Sequence, residues 1–285
     1  MEQRRRPQRP EWLKVRLPGG DNYFRLKNLI REHRLNTVCQ DARCPNIAEC
    51  WGAGTATFMI LGNVCTRACR FCAVKTGLPQ EYDRDEPRRV AEAIGRLDLK
   101  HAVITSVDRD DLEDGGAFIF AETIRLTRRS RPGIRVEVLI PDFQGSVDAL
   151  RMVLGAAPDV LGHNVETVPR LYAQVRPGSR YRRSLNLLRN AKSFGPGPVT
   201  KSGLMVGLGE SREEILDVLK DLREAGVDIV TIGQYLQPSL ANLPVEKFYT
   251  PEEFLHLRDA ALSLGFRHVA SAPLVRSSYH AGRQP

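Results

Sequence analysis

From residue 55 onward, hydrophobic and polar positions fall into a regular alternation. Short apolar runs at 56–61, 101–105, 135–140, 160–163, 201–206 and 229–232 have the length and β-branched content of buried strands. Between them, stretches at 88–97, 117–129, 146–156, 181–194 and 211–225 carry apolar residues three and four apart, which predicts amphipathic helices. Another helix is expected over 252–264, with Thr250 as its N-cap and Pro251 at the first helical position, before a short strand at 267–270 leads to the tail. Strand–helix units of about 30 residues predict an α/β fold with a parallel sheet. Six units and no Gly-x-Gly-x-x-Gly loop favour a partial (β/α)6 barrel over a doubly wound sheet.

The chain ahead of residue 55 reads differently. Residues 11–17 alternate and end at Pro18-Gly19-Gly20, as a short extended segment would. Asp21 is expected to cap a helix over 23–32, with apolar positions at Tyr23, Leu26, Leu29 and Ile30. The chain thus divides into an N-terminal extension over 1–54, a barrel over 55–265 and a C-terminal tail over 266–285.

Composition narrows the class. Apolar content of 42% and charged content of 27% are those of a water-exposed globular chain, and no apolar run reaches the 18 residues or so that cross a bilayer. The basic start, Met1 to Pro7, lacks the apolar segment of a secretory signal, so a cytoplasmic protein with no membrane partner is expected. Net charge is +8, in small clusters at Arg4–Arg6, 128–131 and 180–183. No basic stripe interleaves with aromatics, so a solvated surface or an acidic protein partner is expected rather than nucleic acid.

Cysteine changes the picture most. All six cysteines lie between positions 39 and 72, and such crowding favours metal over disulfides. Cys65-Thr66-Arg67-Ala68-Cys69-Arg70-Phe71-Cys72 follows the first predicted strand, with gaps of three and then two residues. Three thiolates on one loop suit an iron–sulfur cluster that normally takes four, leaving one iron open to a ligand. Structural zinc and buried free thiols are the plainer readings. Cys39, Cys44 and Cys50 form a second set, spaced more widely than zinc ribbons allow. Phe71 suits either the core or stacking on a planar base.

A barrel keeps its site at the C-terminal ends of its strands. Polar residues stand there in this sequence: Ser106 to Asp111 after the second strand, Asn164 to Thr167 after the fourth, Gly207 to Glu210 after the fifth, and Gln234-Tyr235 after the sixth. Glu210 and Ser211 equally suit capping of the helix that follows.

The Cys-x-x-x-Cys-x-x-Cys loop resembles that of the radical S-adenosylmethionine (SAM) enzymes. Joined with Cys39-x4-Cys44-x5-Cys50 and Arg276-Ser277-Ser278-Tyr279, it resembles the lipoyl synthases among them. Trp12-Leu13-Lys14, Thr105 to Leu112, His163 to Thr167, Val175-Arg176-Pro177-Gly178 and Lys201 to Glu210 extend the likeness over nearly the whole chain.

The resemblance implies two [4Fe–4S] clusters and SAM. Cys65, Cys69 and Cys72 would hold the cluster that chelates SAM. Cys39, Cys44 and Cys50, with Ser277 as fourth ligand and Ser278 as second choice, would hold an auxiliary cluster that gives up its sulfide. It further implies SAM contacts from Phe71, Ser106, Asp108, Asn164, Glu166, Gly207 and Glu210. The family usually has His where Asn242 stands, a position on which the cysteine sets are not expected to depend. The reaction implied is sulfur insertion at C6 and C8 of a protein-bound octanoyl-lysine. Its partners would be an octanoylated carrier domain (a 2-oxoacid dehydrogenase E2 subunit or the glycine cleavage H protein), a low-potential electron donor and an iron–sulfur carrier for cluster repair. Two alternatives are another radical SAM thiolating enzyme, of the methylthiotransferase kind, acting on RNA or protein, and a non-enzymatic iron–sulfur or zinc scaffold.

Overall fold

The computed structural model describes residues 8–284 except 16, 81, 98, 195 and 196, so the Arg4–Arg6 cluster lies outside the described residues. The segment expected to be extended opens instead with a 3₁₀ turn at Glu11–Leu13, because Leu13 turns inward to a buried position. Helix α1 (Asp21–Glu32) buries Leu26, Leu29 and Ile30 as its spacing requires. Its N-cap is Gly20, not Asp21, which lies inside the first turn, where a carboxylate complements the helix dipole. Then come β1 (Asn36–Thr37), the short helices α2 (Val38–Asp41) and α3 (Ile47–Gly52), and β2 (Thr57–Ile60). A two-stranded ribbon, β3 (Val64–Cys65) and β4 (Lys75–Thr76), frames the cysteine loop.

The predicted alternation follows. Its first half is α4 (Glu86–Arg96), β5 (His101–Ser106), α5 (Ala117–Ser130), β6 (Arg135–Leu139), α6 (Val147–Leu154) and β7 (Val160–Gly162). Its second half is α7 (Tyr172–Val175), α8 (Tyr181–Ser193), β8 (Val199–Val206), α9 (Arg212–Glu224), β9 (Ile229–Gln234), α10 (Pro251–Ser263) and β10 (His268–Ser271). The sheet runs β1-β2-β5-β6-β7-β8-β9-β10, every neighbouring pair parallel except β1–β2. Six strand–helix units therefore build the expected partial barrel. The strand predicted to lead into the tail joins it as a seventh parallel strand, pairing Val269 with Val230.

The strands are buried on both faces: all four residues of β2 and all six of β9 are covered. That is why they read as apolar runs rather than alternations. Two apolar clusters fill the layer between sheet and helices, one around Phe58, Ile104 and Phe120, the other around Ile215, Ile232 and Phe254. Thr250 caps α10 through a reciprocal box with Glu253, behind Pro251 at the first position, as its sequence predicts. Ser211 caps α9 in the same way with Glu214. Among the described residues no helix is long and apolar enough to cross a membrane.

Candidate active site

A cavity of about 1030 Å³ occupies the barrel, and both cysteine sets line it. Cys39 comes from α2 and Cys50 from α3, while Cys44 lies on the turn between, where its amide donates to the Cys39 carbonyl at 3.1 Å. Cys65 ends β3, and Cys69 and Cys72 follow on its loop. All six thiols are free, and α2, α3 and the turn between them bring the first set to the cavity that the second also lines.

The cysteine loop is held at both ends. Arg67, buried between two of the thiols, lies 2.6 Å from Asp142, 2.7 Å from Asp110 and 3.4 Å from Asp108. At the far end, Asn242 donates to the carbonyls of Cys72 at 2.9 Å and Arg70 at 3.2 Å, and accepts from Ser239. Position 242 thus touches the cysteine loop directly. A short side chain with both a donor and an acceptor serves this staple, a role that its place after the sixth strand does not disclose.

Burial raises the thiol pKa values, to about 11 for Cys65, where the Asp108 charge adds to it, and to about 12 for Cys69 and Cys50. Each thiol is therefore protonated near neutrality, and metal ligation must expel the proton. Among the described residues no three His, Cys, Asp or Glu side chains are gathered tightly enough to hold one ion. A zinc site needs all its donors ~2.0–2.3 Å from a single point. A four-iron cluster spreads its ligands over several metals, and three soft thiols on one loop are a fitting donor set for it.

Polar groups on the opposite wall wait for a partner. Ser106 Oγ and Asn164 Oδ1 are buried at the mouth with no hydrogen bond in the protein, and such groups in a native fold call for one. Asn164 Nδ2 donates to Glu166 at 3.0 Å and to the Ser277 hydroxyl at 2.6 Å, so one amide bridges a rim carboxylate and the tail serine. Glu166 sits at φ 67°, and its amide and carbonyl both bond to β8, resuming the β7–β8 pairing after a break. Burial raises its pKa, opposed by the nearby Arg176 charge. Asp108 is likewise raised by burial, against Arg67 and Arg176, and its amide donates to Cys65 Sγ at 3.3 Å.

Of the predicted residues, Phe71, Ser106, Asp108, Asn164, Glu166, Ser277 and Ser278 line the cavity with the six cysteines. Phe71 also rests on the second apolar cluster, so it is both core and wall. Gly207 and Glu210 do not line it. Glu210 accepts from the amides of Gly207 and Leu208 and so braces its own loop, and a side chain at Gly207 would strike Gln234 and the Lys247 carbonyl. The sequence reading assigns no role to Arg176, although it lies within a quoted motif. Its guanidinium is buried, donates to the Asn164 and Val165 carbonyls, and interacts electrostatically with both Glu166 and Asp108. Its place before a Pro-Gly turn was the available signal.

The tail enters the same space. Asn46 donates to the Leu274 carbonyl at 2.7 Å, and Glu49, between Cys44 and Cys50, accepts from Tyr279 Oη at 2.9 Å and pairs with His280 at 3.1 Å. Beyond them the Gln284 carbonyl accepts from Arg135 at the opposite end of the barrel, at 3.1 Å, so the tail passes from rim to floor.

Known proteins resemble this chain at two levels. Solved structures share the fold: methylornithine synthase, at 16% identity and TM-score 0.52 over 87% of this chain and 81% of that one, and the FeFe-hydrogenase maturase HydG of Carboxydothermus hydrogenoformans, at 15% identity and TM-score 0.56 over 90% and 67%. The Radical SAM superfamily profile matches residues 59–222, and the profile of the N-terminal domain of lipoyl synthase matches 1–44. A lipoyl synthase of Rubrobacter xylanophilus is 59% identical over 99% of this chain and 88% of its own length. The chain belongs to the lipoyl synthase family. A second family member, from Koribacter versatilis, is 58% identical over 100% of this chain and 93% of its own length. Membership brings with it a [4Fe–4S] cluster and SAM, and it removes the RNA-directed thiolating enzyme and the inert scaffold as readings of the site.

Proposed function

We propose that this lipoyl synthase inserts sulfur at C6 and C8 of an octanoyl group carried on a lysine of a lipoyl carrier protein, such as an E2 subunit or the glycine cleavage H protein. In this reading Cys65, Cys69 and Cys72 hold the SAM-binding cluster. Cys39, Cys44 and Cys50 hold a second one, with Ser277 as its fourth ligand. The observation that carries it is the single cavity lined by both thiol sets and by Ser277. When bound, the first cluster and SAM would supply radical chemistry able to activate an unactivated carbon, and the second would supply sulfur.

The protein's own groups position and shield that chemistry. Asn164 and Glu166 hold the polar end of SAM, with Ser106 Oγ as a further partner, and Phe71 supplies an aromatic wall. Met59, Val103, Leu139 and Leu204, which line the deeper cavity, receive the acyl chain and keep water from it. Serine oxygen is a harder ligand than thiolate, so the iron it holds exchanges more readily. Asn164, bonded to Ser277, keeps that hydroxyl at the mouth.

Anaerobic reconstitution tests the assignment. Wild type should carry about eight irons per chain, two clusters of about four. Cys39→Ala/Cys44→Ala/Cys50→Ala should carry about four, still cleave SAM to deoxyadenosine, and form no lipoyl group on an octanoylated H protein. Lipoyl formation by the triple variant would end the assignment.

A further inference from the structure

The arginine cluster at 180–183, unused by the chemistry above, lines a second groove on the same rim as the cavity mouth. Its walls come from the chain after β6, with Val147 and Leu150, and after β7, with Ala173, Arg180, Arg182 and Arg183. Among the described residues no carboxylate lines it. Arg180 and Arg182 are exposed, and neither side chain has a hydrogen-bond or ion-pair partner among the described residues. Arg183 differs: its guanidinium is 3.3 Å from Asp142, the carboxylate that Arg67 grips at 2.6 Å, and Ser179 accepts from Arg67 at 3.3 Å. One shared carboxylate therefore separates the groove from the cysteine loop.

Two unpaired cations beside the exposed Val147 and Ala173, with no anion among the described lining residues, fit an acidic protein surface better than a nucleic acid. Stacking needs a free aromatic face. Tyr181, the aromatic beside these arginines, is instead turned into the fold: its ring packs on the second apolar cluster and edge-on to Tyr172 at 5.5 Å, and its hydroxyl donates to Asp221 at 2.8 Å.

We propose that this groove docks the acyl-carrying protein through a patch of carboxylates on that protein, which brings its octanoyl-lysine arm to the cavity mouth. This rests on the substrate reading above. Docking by exposed charges is salt-sensitive and separable from the chemistry.

The test is Arg180→Glu/Arg182→Glu in the reconstituted enzyme, with octanoylated H protein and a short octanoyl-lysine peptide as alternative substrates. Both positions lie at the start of α8, where acidic residues favour a helix, so the substitutions suit the local fold. KM for octanoylated H protein should rise at least tenfold with kcat unchanged, and the fall of kcat/KM with added salt should flatten. Peptide turnover should stay within twofold of wild type. An unchanged KM for H protein, or an equal loss with the peptide, overturns the proposal. So does loss of retention on poly-uridylate RNA with H protein kinetics intact, which would assign the groove to nucleic acid. If wild type lipoylates neither substrate, the reaction reading fails; fluorescence anisotropy of labelled H protein, which needs no turnover, still decides the groove.

Discussion

Asn242 shows how one side chain can hold a metal-binding loop without touching a metal. Its amide nitrogen bonds the carbonyls of Cys72 and Arg70, while its oxygen takes the amide and hydroxyl of Ser239. Removing it leaves two carbonyls beside the cysteine loop without their side-chain donor, at a half-buried site where each lost bond costs about 0.5–1.5 kcal/mol. Asn242→Ala should lower the unfolding free energy by roughly 1–3 kcal/mol in urea titrations. Asn242→His, which keeps a donor, should recover part of that loss. Equal stability of the alanine variant and wild type would mean the staple contributes nothing. Arg67 acts at the other end of the loop and resists replacement more strongly. Lysine cannot reproduce a fork that meets Asp110 through two nitrogens while reaching Asp142.

Among the elements, the tail is the one whose course the sequence hides. The parallel strands were legible because each is an apolar run with a helix after it, and α9 and α10 announce their starts with Ser211 and Thr250. The thiol spacing pointed to the cavity for the same local reason. No local pattern says that residues after β10 turn back into the barrel. That path depends on contacts far apart in sequence: Asn46 with Leu274, Glu49 with Tyr279, Asn164 with Ser277. It also depends on Gly233, next to the end of the buried strand β9, where a Cβ would fall on the Val275 carbonyl oxygen and crowd Arg276. Glycine at this point lets the tail lie against β9. Gly233→Ala should push the tail off the sheet, at a cost of about 1–3 kcal/mol. Amide exchange over 274–284 should then quicken at least tenfold while α9 and α10 keep their protection. Uniform loss of protection would mean that the glycine supports the whole barrel instead.

Across the whole molecule, buried charge sets how the fold responds to acid. His163 lies inside the barrel with Nδ1 on the Ile140 carbonyl at 2.9 Å and Nε2 on Ser184 at 2.8 Å. Burial, reinforced by the Arg176 charge, pulls its pKa down to about 4 from 6.5. Because the folded value lies below the unfolded one, the contribution is fully present above pH 6.5 and is lost as pH falls to about 4, when the unfolded chain takes a proton that the folded chain refuses. At 1.36 kcal/mol per unit this amounts to about 3 kcal/mol. Asp142 adds a second, lower step. Burial pushes its pKa up, but bonds and charge from Arg67 outweigh that and hold it at about 2, so its contribution fades as pH falls from 3.8 toward 2. Glu166 and Asp108, raised by burial, act in the opposite sense and recover stability as they take up protons. The wild-type curve alone therefore cannot isolate the histidine. The difference between wild type and His163→Asn can: unfolding free energies measured from pH 7 to pH 4 should converge by about 3 kcal/mol as pH falls, because the variant has no proton to refuse. A constant offset across that range would mean that His163 takes up its proton in the folded barrel as readily as in the unfolded chain, in conflict with its two bonds and its burial.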